Sequence, residues 1–242
     1  MGMIYHVLPG DSITREFNEA GIEGEPIVFR ECLVAGDADA ASLEEFWDIR
    51  ANFHELEHGG DPIDYREGFV HEVERLIGLD RSSEVHLWFE YELFCSANMW
   101  FCLNLLKESE AGIFRVMPSN VEPDDAWKGF GGLDADGLID CYENRVELTA
   151  NDVAKGAELW LAFAKRDAKK LIDLGSYRSP AFPFLLEVTA AAAEIESRPA
   201  KILAEIKSGG LTGMSEIFPE FVKRAGVYGF GDTQVERLLD RI

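Results

Sequence analysis

The sequence predicts an α/β protein: a Rossmann-like, mostly parallel sheet with helices on both faces, followed by a mostly α-helical C-terminal region. Three observations carry this reading. Up to residue 118, short apolar runs of strand length alternate with longer segments whose apolar residues recur at helical spacing, as strand–helix–strand crossovers require. From 119 to 137 the chain turns rich in Asp, Gly and Pro. Beyond that only helical patterns follow. The expected organisation is a domain over 1–118, a linker over 119–137 and a helical domain over 138–242, in which 200–242 forms a trihelical, helix-turn-helix-like segment.

The elements follow in order. Met3–Leu8 is a buried strand stopped by Pro9-Gly10, with Asp11 or Ser12 capping a helix through Ala20. Pro26–Phe29 is a second short strand. Ser42 and Glu45 form a capping-box pattern that opens a helix carrying Phe46, Trp47, Ile49 and Phe53. Residues 65–77 put Phe69, Val73, Leu76 and Ile77 on one helical face. Glu84–Phe89 is a strand, Leu93–Lys107 a helix and Gly112–Met117 a strand. Asp134 is a turn residue and helix cap. Thr149 and Asp152 cap a helix through Phe163, Pro183 opens an alanine-rich helix to Glu196, and Pro199 restarts one that ends at Gly209-Gly210. Ser215–Arg224 and Thr233–Ile242 complete the chain, the last capped by Asp232.

Charge narrows the partners. The 242 residues carry a net charge of −22, which argues against nucleic acid and anionic membranes. All of it belongs to residues 1–199, because 200–242 holds six basic and six acidic residues. That neutral segment is better suited to packing or protein contacts than to reading DNA. A hydrophobic share of 47% argues against disorder. Cys32, Cys95, Cys102 and Cys141 form no CxxC pair, Met1–Gly10 has no signal-peptide pattern, and no apolar run is long enough to span a bilayer. A cytoplasmic protein is expected, with a homo-oligomer allowed.

Several motifs are tempting. His54-Glu55-Leu56-Glu57-His58 matches the zincin string, whose paired histidines would share a helix face. Here Gly59-Gly60 ends the helix at once and no third ligand is specified, so His54 and His58 are disfavoured as metal ligands. Gly10-Asp11-Ser12 resembles the opening block of SGNH esterases. No histidine lies beyond residue 86 to activate Ser12, so that chemistry needs His6 or another N-terminal histidine as base. Asp134-Ala135-Asp136-Gly137 lacks the ligand spacing of a calcium loop. The spacing of Cys95 and Cys102 reads as core packing.

A rim of charged residues is more informative. Asp11 and Ser12 follow the first strand, Arg30 and Glu31 the second, and Glu90 and Glu92 a later one. Parallel strands would bring all six to the edge where open α/β sheets place ligands. Carboxylates there would bind a divalent cation or divide acid and base roles, and Arg30 would hold an anionic group. The alternative is that Arg30 neutralises Glu31 or Glu90 in a structural ion pair.

Taken together, His6-Val7-x-x-Gly10-Asp11-Ser12, Val28-Phe29-Arg30-Glu31-Cys32-Leu33, Phe46-Trp47-x-x-Arg50 and Leu87-Trp88-Phe89-Glu90-x-Glu92-Leu93-Phe94-Cys95-x-x-Asn98 resemble a bacterial family catalogued as domain of unknown function 1835. The likeness covers about residues 3–118; residues 130–198 resemble its usual helical companion domain. The resemblance implies an architecture and no reaction. It adds Gly10, Arg50 and Asn98 to Arg30 and Glu31 as ligand-binding candidates, beside Asp11, Ser12, Glu90 and Glu92 as catalytic candidates. The expected function is small-ligand binding, extending to a hydrolase or transferase on a phosphorylated or nucleotide-like compound. The alternative is a non-enzymatic regulatory or scaffold protein acting through the C-terminal helices.

Overall fold

The computed structural model describes residues 2–119 and 126–242, without the His58 side chain. In chain order the elements are β1 (Ile4–Leu8), α1 (Thr14–Ala20), β2 (Glu25–Val28), α2 (Leu43–His58), α3 (Pro62–Asp64), α4 (His71–Glu74), β3 (Glu84–Trp88), α5 (Leu93–Leu106) and β4 (Gly112–Val116). They continue with α6 (Ala135–Glu143), β5 (Val146–Glu147), α7 (Ala150–Ala164), α8 (Ala168–Leu174), α9 (Leu185–Ala193), α10 (Arg198–Ser208), α11 (Met214–Ala225) and α12 (Asp232–Leu239). A π-helical turn over Tyr65–Val70 joins α3 to α4.

The sheet has the order β2-β1-β3-β4-β5. The first four strands are parallel and β5 runs antiparallel to β4. Period-two alternation explains why helices cover both faces. Tyr5, Val7, Val85, Leu87 and Ile113 face a large core shared with α2, α5, α7 and the C-terminal helices. Leu8, Trp88 and Val116 face a smaller core with Phe17 of α1 and Leu138 and Cys141 of α6. On that second face, His6, His86 and Phe114 share one register level across three strands, and their rings stack at 4.8 and 5.0 Å.

Several expectations change. Packing contacts cross residue 118: α6 covers α1, β5 adds to the sheet beside β4 and α7 lies along α5. The part of the expected linker over 120–125 lies outside the described residues, while its end is already the start of α6, capped by Asp134 as expected. Asp11 and Ser12 cap nothing. They lie in a single 3₁₀ turn over Asp11–Ile13 that leads into α1 without a side-chain cap. Thr149 and Asp152 form the full reciprocal capping box. The last helix is preceded by Gly231, whose N–H is taken by Gln234, rather than capped by Asp232. No helix is long and apolar enough to cross a membrane among the described residues.

Candidate functional site

The strand order places a topological switch point between β1 and β3, where connections leave toward opposite sides of the sheet. Open α/β sheets gather their ligands at the carboxyl ends of such strands. Six predicted residues follow the carboxyl ends of β1, β2 and β3, yet their side chains divide into three groups.

The first group is an exposed pair. Arg30 grips Asp11 bidentately, Nε to Oδ2 at 2.9 Å and Nη2 to Oδ1 at 2.8 Å, and both side chains are more than half exposed. Arg30 therefore neutralises neither Glu31 nor Glu90. Gly10, with φ of 119°, lets the chain turn out of β1 in a conformation that residues with a Cβ rarely adopt. Ser12 is exposed, and its hydroxyl makes no hydrogen bond among the described residues. His6 is no base for it: the ring is buried, Nδ1 accepts from Trp88 Nε1 at 3.1 Å, and Nε2 donates to the Glu23 carbonyl at 3.0 Å.

The second group is a saturated clamp. Glu31 is buried, and its carboxylate accepts from Arg50 Nε (3.0 Å) and Nη2 (2.7 Å), the Tyr65 hydroxyl (2.6 Å) and the Cys32 N–H (2.8 Å). His54 Nε2 stands 3.3 Å from the same carboxylate. Burial would raise the Glu31 pKa, but His54 and Arg50 reverse this and bring it down to about 2. Arg50 spends its remaining donors on the carbonyls of Cys32, Ala35 and Asp37. Asn98 reaches across from α5 to the Glu31 carbonyl at 2.9 Å. Glu31, Arg50 and Asn98 thus come together as the fastening of the loop after β2, engaged with one another and with backbone groups. His54, one half of the zincin string, belongs to this clamp; the His58 side chain lies outside the described residues.

The third group is different. Glu90 and Glu92 leave the end of β3 and form the floor of a pocket of about 180 Å³. Trp127, Phe221 and Phe230 supply its aromatic walls. Glu92 N-caps α5, accepting from the Cys95 N–H at 2.9 Å. Glu90 accepts from the Phe130 N–H at 2.7 Å. Two glycines in the left-handed region press against these carboxyls: a Cβ at Gly129 would lie 1.9 Å from the Glu90 carboxyl carbon, and one at Gly229 would lie 2.3 Å from Glu92 Oε2. No basic side chain comes within ion-pair distance of either carboxylate among the described residues. Burial, reinforced by the charge of Glu90, pushes the Glu92 pKa up to about 8, and burial also raises Glu90 against the Phe130 hydrogen bond. Ligand atoms of Glu90, Glu92 and Cys95 lie within 4.8 Å of one another. Behind them Arg115 is fully buried on β4, and its Nη2 donates to the Glu90 carbonyl at 3.0 Å.

Sequence reasoning finds the floor and misses the walls. Phe221, Gly229 and Phe230 lie more than a hundred residues beyond Glu92 and belong to the segment read as helix-turn-helix-like. The cluster Gly226, Gly229 and Gly231 beside aromatic residues was the available signal. That segment is docked on the N-terminal part: Arg237 of α12 pairs with Glu57 of α2 at 3.2 Å. Comparison of the chain with family models, with curated proteins and with solved structures finds no match.

Proposed function

We propose that the protein binds a small molecule in the pocket above Glu90 and Glu92, with a cationic group of that molecule seated between the two carboxylates. One observation carries this reading: two carboxyls, Glu92 buried and Glu90 half-buried, face one pocket, and no basic side chain forms an ion pair with either among the described residues. A buried charge is tolerated only when it is neutralised or paired, and a ligand cation supplies the pairing. The walls favour an organic cation, because Trp127, Phe221 and Phe230 can cover its apolar part and attract its charge. A second reading is a divalent metal ion, favoured by the approach of Cys95 Sγ to the two carboxylates. If the bound molecule is instead an uncharged substrate, Glu92 keeps its proton near neutral pH and can donate it, with Glu90 as the acceptor. A phosphorylated substrate would need a cation other than Arg30, whose guanidinium is engaged by Asp11. Membership of domain of unknown function family 1835 belongs to the same proposal and rests on the motifs through Glu90, Glu92 and Asn98.

The test is thermal unfolding of the full chain with benzylamine, tetramethylammonium, Mg²⁺ and Zn²⁺. An amine should raise Tm, more strongly as pH rises from 7 to 9, because binding expels the Glu92 proton. The rise should disappear in Glu90→Gln and Glu92→Gln. A rise with Zn²⁺ alone, lost in Cys95→Ser, selects the metal reading. No response to any of these probes, or a response unchanged in both Gln variants, overturns the pocket as a cation site.

A further inference from the structure

Behind the floor of the pocket stands a fixed positive charge. Arg115 of β4 is buried, touches the Glu90 main chain and does not line the pocket. Its Nη1 donates to the Ala181 carbonyl and its Nη2 to the Glu90 carbonyl at 3.0 Å, so both acceptors are neutral. The ring centroids of Tyr91 and Phe182 lie 5.8 and 6.0 Å from its Cζ. These four contacts hold the guanidinium in place. Burial lowers its pKa to about 10, which still leaves it charged at neutral pH. A buried guanidinium is costly unless a counter-charge answers it. Arg115 makes no ion pair among the described residues, and the groups that act on it through the interior are Tyr91, Cys95 and Glu92. Of these, Glu92 brings the carboxylate.

We propose that Arg115 fixes the charge of the ligand, so that the pocket takes a small monovalent organic ammonium in preference to any dication. This rests on the cation-binding reading of the pocket given above. With both carboxyls ionised, two negative charges face the pocket and one positive charge stands behind them. One further positive charge completes the balance. A dication would leave a positive surplus close to Arg115, where charges repel more strongly than they do in water. Lys128, next to Trp127 in the chain, is exposed, and solvent screens its charge. Size limits the rest of the ligand. The pocket of about 180 Å³ is slightly larger than a cavity of about 150 Å³ that takes up benzene. It accommodates an ammonium carrying one ring or a short alkyl chain, with the apolar part against Trp127, Phe221 and Phe230. Arg115 itself touches no ligand; it is a specificity-determining residue that acts through the carboxylates.

The experiment is isothermal titration of the full chain, at constant pH and ionic strength, with butylamine, 1,4-diaminobutane, Mg²⁺ and Zn²⁺. The two amines share one alkyl chain and differ by one charge. The wild type should bind butylamine about tenfold or more tightly than any of the three dications. Arg115→Met removes the charge at similar length, and the preference should vanish or reverse toward the dications. Arg115→Lys keeps a charge and should keep the preference. An Arg115 that only supports the fold would change all the affinities together and leave their ratio alone. The wild-type comparison needs no variant, so a poorly folding Arg115→Met does not decide the matter. A dication bound as tightly as butylamine by the wild type, or an unchanged ratio in folded Arg115→Met, overturns the inference and leaves the cation site standing. If the wild type binds none of the four probes, the cation site falls and the inference falls with it.

Discussion

Two regions of this protein bury acidic side chains just beyond parallel strands, and they treat them in opposite ways. Glu31, after β2, meets Arg50, His54, Tyr65 and a backbone N–H, so its charge is held and its acceptors are filled. Glu90 and Glu92, after β3, meet backbone N–H groups, each other and an open pocket. The difference teaches that a charged residue at a sheet rim says little until its partners are known. A saturated carboxylate fastens the fold. An unsaturated pair keeps a surplus of charge that only a proton or a ligand can answer.

The comparison is broken most directly at Arg50. Arg50→Met leaves Glu31 buried without its main counter-charge and should cost about 3–5 kcal/mol in urea unfolding at pH 7. Glu31 is shifted down from 4.5 to about 2, so the stability it contributes is complete above pH 4.5 and lost as pH falls toward 2. The deficit of the variant should therefore narrow in acid. A loss below about 1 kcal/mol at pH 7 would show that the clamp is not the anchor of the loop.

The opposite sign is expected at Glu92. Its pKa is raised from 4.5 to about 8, so its contribution is complete below pH 4.5 and is lost as pH climbs through 8. Glu92→Gln keeps an acceptor for Cys95 and removes that loss, so it should be more stable than the wild type by about 1–3 kcal/mol at pH 8.5 and nearly equal to it at pH 4. Parallel stability profiles for the two proteins would remove the claim that Glu92 is strained by its burial beside Glu90. The smallest effect belongs to the exposed pair: Asp11→Asn should change stability by no more than about 0.5 kcal/mol, and a larger loss in calorimetry would promote that pair to a structural role.

Much of the fold was legible because its signals are local. The apolar runs around Val7, Ile27, Leu87 and Ile113 are strands, and the Thr149–Asp152 box starts its helix as the spacing predicts. What was not legible has physical reasons. The two-residue β5 exists only because β4 offers it an edge, and α8, with its sequence Ala-Lys-Lys-Leu-Ile-Asp-Leu, is too short to show a period. The π-helical turn that carries Tyr65 to Glu31 leaves no mark in the apolar spacing. In the site, Glu90 and Glu92 are found by following a strand to its end. The clamp was not separable from them, because Glu31 and Glu90 occupy equivalent places along the chain and differ only in what lies across the fold.

The distance along the chain between floor and walls has a consequence in time. The sheet is complete at Glu147, whereas Phe221 and Phe230 come much later. Chains are made from the N-terminus, and early parts can fold first. During synthesis the two carboxyls are therefore made before part of the wall that covers them. If α11 and the turn after it dock last, that step takes up a proton or traps a cation. Refolding should slow as pH rises, and a cation that fits the pocket should restore its rate.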